Sequence, residues 1–308
     1  MRIVFMGTPE FAVPSLEELV RRGHELALVI TQPDRRAGRG QRVKFSPVKE
    51  RALELGLELH QPEDVNDDAT FQLLEGLSPE AIVVVAFGQR IAPRLLDLPP
   101  HGCINVHASL LPKYRGASPI QRAIMEGESI TGVTIMEMDV GWDTGPILSQ
   151  REVAIEEGET GQSLHDKLAQ EGAQLLGETL EEIHRLAPQK QDDSLATTAP
   201  KIEKRDGLIR WSRPAIVIDR QIRALDPWPG TYTEHGGRVV KILTGEVVSA
   251  STGQPGEIIA IEGDGFTVRC GQDALLVREV QPMNKAKMKG SDYVNGYRLQ
   301  IGDLLGEV

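Results

Sequence analysis

Cysteine and aromatic residues are scarce in this chain, with 2 cysteines and 4% aromatics in 308 residues. Cys103 and Cys270 lie far apart among apolar neighbours. They read as buried free thiols, and their spacing offers neither a disulfide framework nor a metal site. Long hydrophobic runs are also missing: nothing approaches the roughly 20 apolar residues of a membrane helix. The apolar start, Arg2 to Met6, is too short for a signal peptide and reads as a first strand. A soluble, cytoplasmic protein is the expectation. Basic charge is in deficit, 34 Lys and Arg against 45 Asp and Glu, a formal net charge of −11. That argues against a non-specific nucleic-acid coat, because neutralising phosphates takes clustered cations. The turn after the first strand, GTPEFA, lacks the glycines of GxGxxG, so nicotinamide dinucleotide binding is not expected.

What is present divides the chain. Its length suggests two domains. Strand-like and helical stretches alternate through residue 186, which points to a Rossmann-like open α/β sheet. The turn after Met6 leads into a helix that Thr8 could cap, or Ser15 through a capping box with Glu18. The run AIVVVA, Ala81 to Ala86, is apolar throughout, as a parallel strand covered on both faces is. Strand ends of this kind line ligand crevices, which makes Phe87 and Gly88 a candidate pocket wall and Gly88 equally a plain turn residue. Residues 187–206 are polar, rich in Pro and Ala, and read as a linker. From 207 to 308, a helical stretch precedes several short strands between glycines, which suggests an OB-like antiparallel barrel. The expected division is therefore 1–186, 187–206 and 207–308.

Two locally basic segments interrupt the acidic chain. The loop after the second strand carries Arg35, Arg36, Arg39, Arg42 and Lys44 against Asp34, and it is long for an α/β connection. A solvated surface loop is the bland reading; the local charge favours a phosphate partner. Near the end of the barrel, Lys285, Lys287 and Lys289 could continue that basic path or be solvated surface.

The densest stretch is CINVHASLLPKYRGASPIQRAI, residues 103–124, helped by DVGWDTG at 139–145. A strand has a side-chain period of two, so Asn105 and His107 project from one face at a strand's carboxyl end. An asparagine amide can hold an oxyanion, a histidine titrates near neutrality, and Asp143 could orient it. Such a set suits acyl transfer to an amine. No GxSxG setting supplies a nucleophile, so attack by the amine itself is expected. Taken singly, Asn105 also reads as a turn residue, His107 as a satisfied core histidine and Asp143 as a loop cap; spacing leaves both readings open. Asp139 has the same turn-forming alternative.

These motifs resemble the folate-dependent formyltransferases along essentially the whole chain. GTPEF, QPDRRAGRG, SPVK and DPWP further resemble the branch whose acceptor is methionine on initiator tRNA. The resemblance implies 10-formyltetrahydrofolate as donor co-substrate, no metal and no NAD. It implies that Asn105 and His107 stabilise a tetrahedral intermediate, with Asp143 setting the state of His107 and helping to relay a proton. Ser109, Leu110, Leu111 and Pro112 would contact folate, with Phe87, Gly88, Asp139 and Trp142 completing the pterin pocket. Arg39 and its neighbours would meet the acceptor end of tRNA, with the lysines at 285–289 along its backbone. Arg36 stands where many relatives have proline. A monomer is expected. The alternatives are a formyltransferase acting on a small amine such as an amino sugar, or a non-catalytic tRNA-binding protein.

Overall fold

The computed structural model describes residues 1–37 and 42–306. It divides into two compact units, the first made of 1–119, 130–154 and 165–199, the second of 120–129, 155–164 and 200–308. The stretch read as a linker is thus shared, 187–199 going with the first unit and 200–206 with the second.

In the first unit the strands, in chain order, are β1 (Arg2–Gly7), β2 (Glu25–Ile30), β3 (Arg35–Ala37), β4 (Arg42–Lys44), β5 (Leu59–His60), β6 (Ala81–Val85), β7 (Cys103–His107), β8 (Ile130–Glu137) and β9 (Ile147–Ala154). Among the described residues seven of them form one sheet in the order β5-β2-β1-β6-β7-β8-β9. Pairing is parallel from β5 to β7 and antiparallel at β7–β8 and β8–β9. All five residues of β6 are buried, and each of its isoleucine and valine side chains contributes about 1.5–3 kcal/mol of transfer free energy. The chain runs outward from β1 through β2 to β5, then returns to β6 on the other side of β1. That reversal opens a crevice at the carboxyl ends of the central strands.

The helices α1 (Val13–Arg21), α2 (Pro47–Glu54), α3 (Asp68–Leu77) and α4 (Pro93–Leu96) belong to this unit. Neither Thr8 nor Ser15 caps α1. A 3-10 turn at Glu10–Ala12 intervenes, Ala12 takes the cap position without a side-chain bond, and Thr8 Oγ1 donates to the Phe87 carbonyl at 2.9 Å. Where the sequence suggests an open basic loop, β3 and β4 pair as an antiparallel hairpin, Arg35 opposite Lys44. Its base is pinned by Lys49, whose Nζ reaches Asp34 Oδ2 at 2.5 Å and Gln61 Oε1 at 2.8 Å. The Gln61 amide, and then the Lys49 ammonium, hold the Asp34 carboxyl below its usual range.

In the second unit α7 (Ala215–Ala224) precedes β10 (Thr231–His235), β11 (Arg238–Val248), β12 (Ile258–Glu262), β13 (Gly265–Arg269), β14 (Ala274–Pro282) and β15 (Met288–Lys289). They form an antiparallel sheet in the order β10-β11-β14-β13-β12, with β15 on β14. Residues 304–306 span the gap between the two edges: Gly306 bridges Glu234 of β10, and Leu304 bridges Glu257 just before β12. This closes the sheet in the manner of the OB-like barrel expected from its turn spacing. A helix the sequence reading did not anticipate, α8 (Gly290–Tyr297), buries Tyr293 against Phe266 in the barrel core. Two further helices are α5 (Pro119–Glu126), which begins at a unit boundary, and α6 (Gly161–Glu182), whose residues are divided between the units after 164.

Candidate active site

Strand β7 carries the candidate triplet's first two members to the carboxyl edge of the sheet. Its apolar residues Cys103, Ile104 and Val106 are buried, Asn105 is half-buried, and His107 is 7% exposed. Among the described residues, no group bonds the Asn105 side-chain amide, which leaves it free to donate to a ligand. Cys103 stands two positions earlier, but burial pushes its thiol up to about 12. It is therefore protonated at neutral pH and no nucleophile.

His107 Nε2 lies 3.1 Å from the carbonyl of Tyr114. A carbonyl only accepts, so Nε2 carries the proton and Nδ1 is the position open to proton exchange. Nδ1 faces Asp143 Oδ2 at 3.7 Å, an electrostatic contact longer than a hydrogen bond. The same Oδ2 accepts the backbone N–H of Gly116 at 2.8 Å. Asp143 takes up this place with φ +54°, a left-handed conformation costing a non-glycine residue about 1–3 kcal/mol unless its surroundings enforce it. The enforcement comes from the loop and from a neighbouring segment. Gln191, buried in the stretch that looked like linker, donates to the carbonyls of Asp143 and Gly145 at 2.8 and 2.7 Å. Gly145 can be nothing larger, since a Cβ there would overlap the Glu137 carbonyl.

The other expected donor-site residues divide into supports and surface. Ser109 is fully buried; its hydroxyl donates to Lys113 O at 2.6 Å and its carbonyl accepts from Thr134 Oγ1 at 2.7 Å. Leu111, 3% exposed, gives its N–H to Thr134 Oγ1 and its carbonyl to Gln150. These two lock the turn, while Leu110 and Pro112 keep partial exposure. Phe87 is a core residue whose carbonyl is taken by Thr8 and Gln32. Asp139 spends Oδ1 on Gly141 N and Thr144 Oγ1 at 2.9 and 2.7 Å, so it is the loop-forming aspartate of the pair. Trp142 and Val140, in the same loop, are 67% and 60% exposed.

A concavity of about 220 Å³ opens beside this loop, lined by Asn66, Arg90, Ile91, Ala92, Pro93 and Val140. Arg90 donates to the Val140 carbonyl at 2.8 Å and so joins the segment after β6 to the loop that carries Asp143. Sequence reading stopped one turn short of Arg90, Ile91, Ala92 and Pro93, at Gly88; the signal available was only their position soon after a buried strand's end. Gln191 gave no signal at all, because a polar residue in a polar stretch reads as solvated.

Of the residues expected to meet tRNA, Arg35 and Lys44 are exposed on the hairpin, Arg36 and Arg42 lie on its paired strands, and Arg39 lies outside the described residues. Lys285, Lys287 and Lys289 are exposed on the second unit, Lys289 within 3.5 Å of Asp264. Among the described residues, no cluster of His, Cys, Asp and Glu could hold a metal ion, and no helix is long and apolar enough to cross a membrane.

Comparison with known proteins gives concordant findings. Residues 1–180 match the family described as formyl transferase, and residues 201–298 match its C-terminal domain. A methionyl-tRNA formyltransferase from Citrifermentans bemidjiense is 48% identical over 309 residues, covering 100% of this chain and 97% of its own. One from Caldanaerobacter subterraneus subsp. tengcongensis is 49% identical over 308 residues, covering 99% of this chain and 100% of its own. The solved structure of HypX from Aquifex aeolicus in complex with tetrahydrofolic acid has the same fold, with TM-score 0.66 and 20% identity over 98% of this chain and 48% of that one.

Proposed function

The chain belongs to the formyl transferase family, and from that premise we propose that Asn105, His107 and Asp143 carry formyl transfer from 10-formyltetrahydrofolate to methionyl initiator tRNA. The observation that carries the assignment is an Asn105 amide with no partner among the described residues, beside a histidine whose exchangeable nitrogen faces a carboxylate. The deprotonated α-amine of the methionyl group attacks the formyl carbon, and a C–N bond forms as the carbonyl oxygen takes up negative charge. The Asn105 amide donates to that oxygen. The carbon's bond to N10 of the folate then breaks. One proton leaves the amine and one reaches N10, and His107 Nδ1, with Asp143 opposite to stabilise its charged form, is placed to serve that exchange.

The donor's pterin is proposed to lie in the concavity beside Val140 and Arg90, against the turn Ser109–Pro112 and the loop Asp139–Trp142. The tRNA is proposed to meet the basic residues Arg35, Arg36, Arg39, Arg42 and Lys44, and Lys285, Lys287 and Lys289. We further propose that the protein acts as a cytoplasmic monomer, which light scattering at working concentration tests. The decisive assay offers 10-formyltetrahydrofolate with charged initiator tRNA, charged elongator tRNA and free methionine. Formylation of the first alone is expected; formylation of free methionine at a comparable rate, or of none of the three, would refute the proposal.

A further inference from the structure

Gln191 is a polar side chain of a polar segment, yet it is 5% exposed. Its Nε2 donates to Asp143 O and Gly145 O at 2.8 and 2.7 Å. Its Oε1 accepts from Arg115 Nε and Nη2 at 3.0 and 2.7 Å. A primary amide has two N–H groups and two acceptor lone pairs, and all four are spent. The carbonyls can only accept and the guanidinium can only donate, so the amide has a single orientation.

The bonds lead on to both members of the proton-handling pair. Arg115 precedes Gly116, whose N–H holds the Asp143 carboxylate. Tyr114, whose carbonyl faces His107 Nε2, gives its own N–H to Thr197 Oγ1 at 2.8 Å. Arg115 N donates to Thr197 O at 2.9 Å, and Ala199 N donates to Arg115 O at 2.7 Å. Gly116, with φ +122°, backs so closely on this segment that a Cβ would stand 2.7 Å from Ala199 O. Residues 189–199 thus run as a strap beneath 114–116, and Gln191 reaches past them to the backbone of Asp143 itself.

We propose that Gln191 is a positioning residue for formyl transfer: it acts through Asp143, holding that residue's backbone so that the carboxylate meets His107. The inference rests on the roles given above to His107 and Asp143. A double-mutant cycle with Asp143→Asn tests it. Gln191→Leu alone is expected to lower kcat about 10-fold or more with the donor KM within about twofold, and to add less than about twofold in the Asp143→Asn background. The pH profile of kcat in Gln191→Leu should move towards that of Asp143→Asn, a change that a merely structural role would not produce. Gln191→Glu keeps the shape and the Arg115 acceptor but loses both donors. It should show the same loss, and it carries the cycle if Gln191→Leu does not fold. Losses that multiply independently, or a Gln191→Glu variant with unchanged kcat, would overturn the positioning role and leave the site assignment standing. Full kcat in Asp143→Asn would instead overturn the site assignment itself.

Discussion

Replacing Asn105 with alanine separates chemistry from folding more cleanly than any other change at this site. The side chain is half-buried, and among the described residues its amide has no partner, so the substitution breaks no intramolecular hydrogen bond. The stability change should therefore stay below about 1 kcal/mol, since the usual net worth of such a bond is not lost. The catalytic change should be much larger. A donor aimed at the developing oxyanion is worth about 2.7–4 kcal/mol, or roughly 10²–10³ in kcat. Single-turnover formylation of charged initiator tRNA at saturating donor measures that loss directly, and thermal unfolding of the same preparation measures the first quantity. A variant whose kcat stays within a factor of about three of the parent would refute the oxyanion role. A large fall in melting temperature alongside lost activity would show instead that Asn105 supports the fold.

Three further outcomes follow from other parts of the molecule. Changing Arg39 and Arg42 to glutamine should flatten the salt dependence of tRNA binding by about 1.4–1.8 logarithmic units of slope, as two phosphate contacts are lost. The donor KM should be unaffected, and an unchanged slope would remove the hairpin from the tRNA interface. Gly145→Ala drives a methyl group into the Glu137 carbonyl, a backbone atom that cannot swing aside, so the loop of Asp143 must shift at a cost of about 1–3 kcal/mol. Gly76→Ala, which meets nothing within 4 Å on α3, should stabilise by about 0.4–1 kcal/mol; equal melting temperatures for the two variants would contradict the packing described. The Glu18 carboxyl is held below its ordinary range by its hydrogen bond to Arg21, against the opposing effect of burial, and by Arg22. A carboxyl whose folded pKa is depressed contributes stability above its unfolded value, near about 4.3, and loses it as pH falls through the folded value. Glu18→Gln should thus melt lower than the parent at pH 7, with the gap closing in acid; a gap independent of pH would exclude this linkage.

Much of the architecture could be read from local pattern. The run Ala81–Val85 is apolar throughout, the composition of a parallel strand covered on both faces, and the sheet holds it in that place. The period of two likewise put Asn105 and His107 on one face of β7. The strand spacing after residue 230 suggested an antiparallel barrel, although its closure by residues 302–306 depends on pairing between distant segments, which no local window contains.

The candidate site was half visible. Residue chemistry made Asn105, His107 and Asp143 candidates at a strand end and in a glycine-bracketed loop, but spacing left the bland readings open, and the resemblance to the formyltransferases gave the three their roles. Ser109 and Leu111 were expected at the ligand; that their hydrogen bonds to Lys113, Thr134 and Gln150 also frame the turn could not be read from the sequence. The two loop aspartates were equivalent in sequence, and only the structure separates Asp139, bonded within its own loop, from Asp143, turned to His107.

Local sequence carried most of the elements and the whole chemical inventory, because strand period, apolar pattern and side-chain type are properties of neighbouring residues; the β3–β4 pair and α8 escaped it. The tertiary structure alone decided which polar groups are spent and which are free. Residues 187–199 show the difference: their composition is that of a solvated connector, yet Gln191 there satisfies all four of its hydrogen bonds inside the first unit. A polar side chain carries no mark of whether its partner is water or a backbone carbonyl 46 or 48 residues away. That choice is made only when the chain has folded.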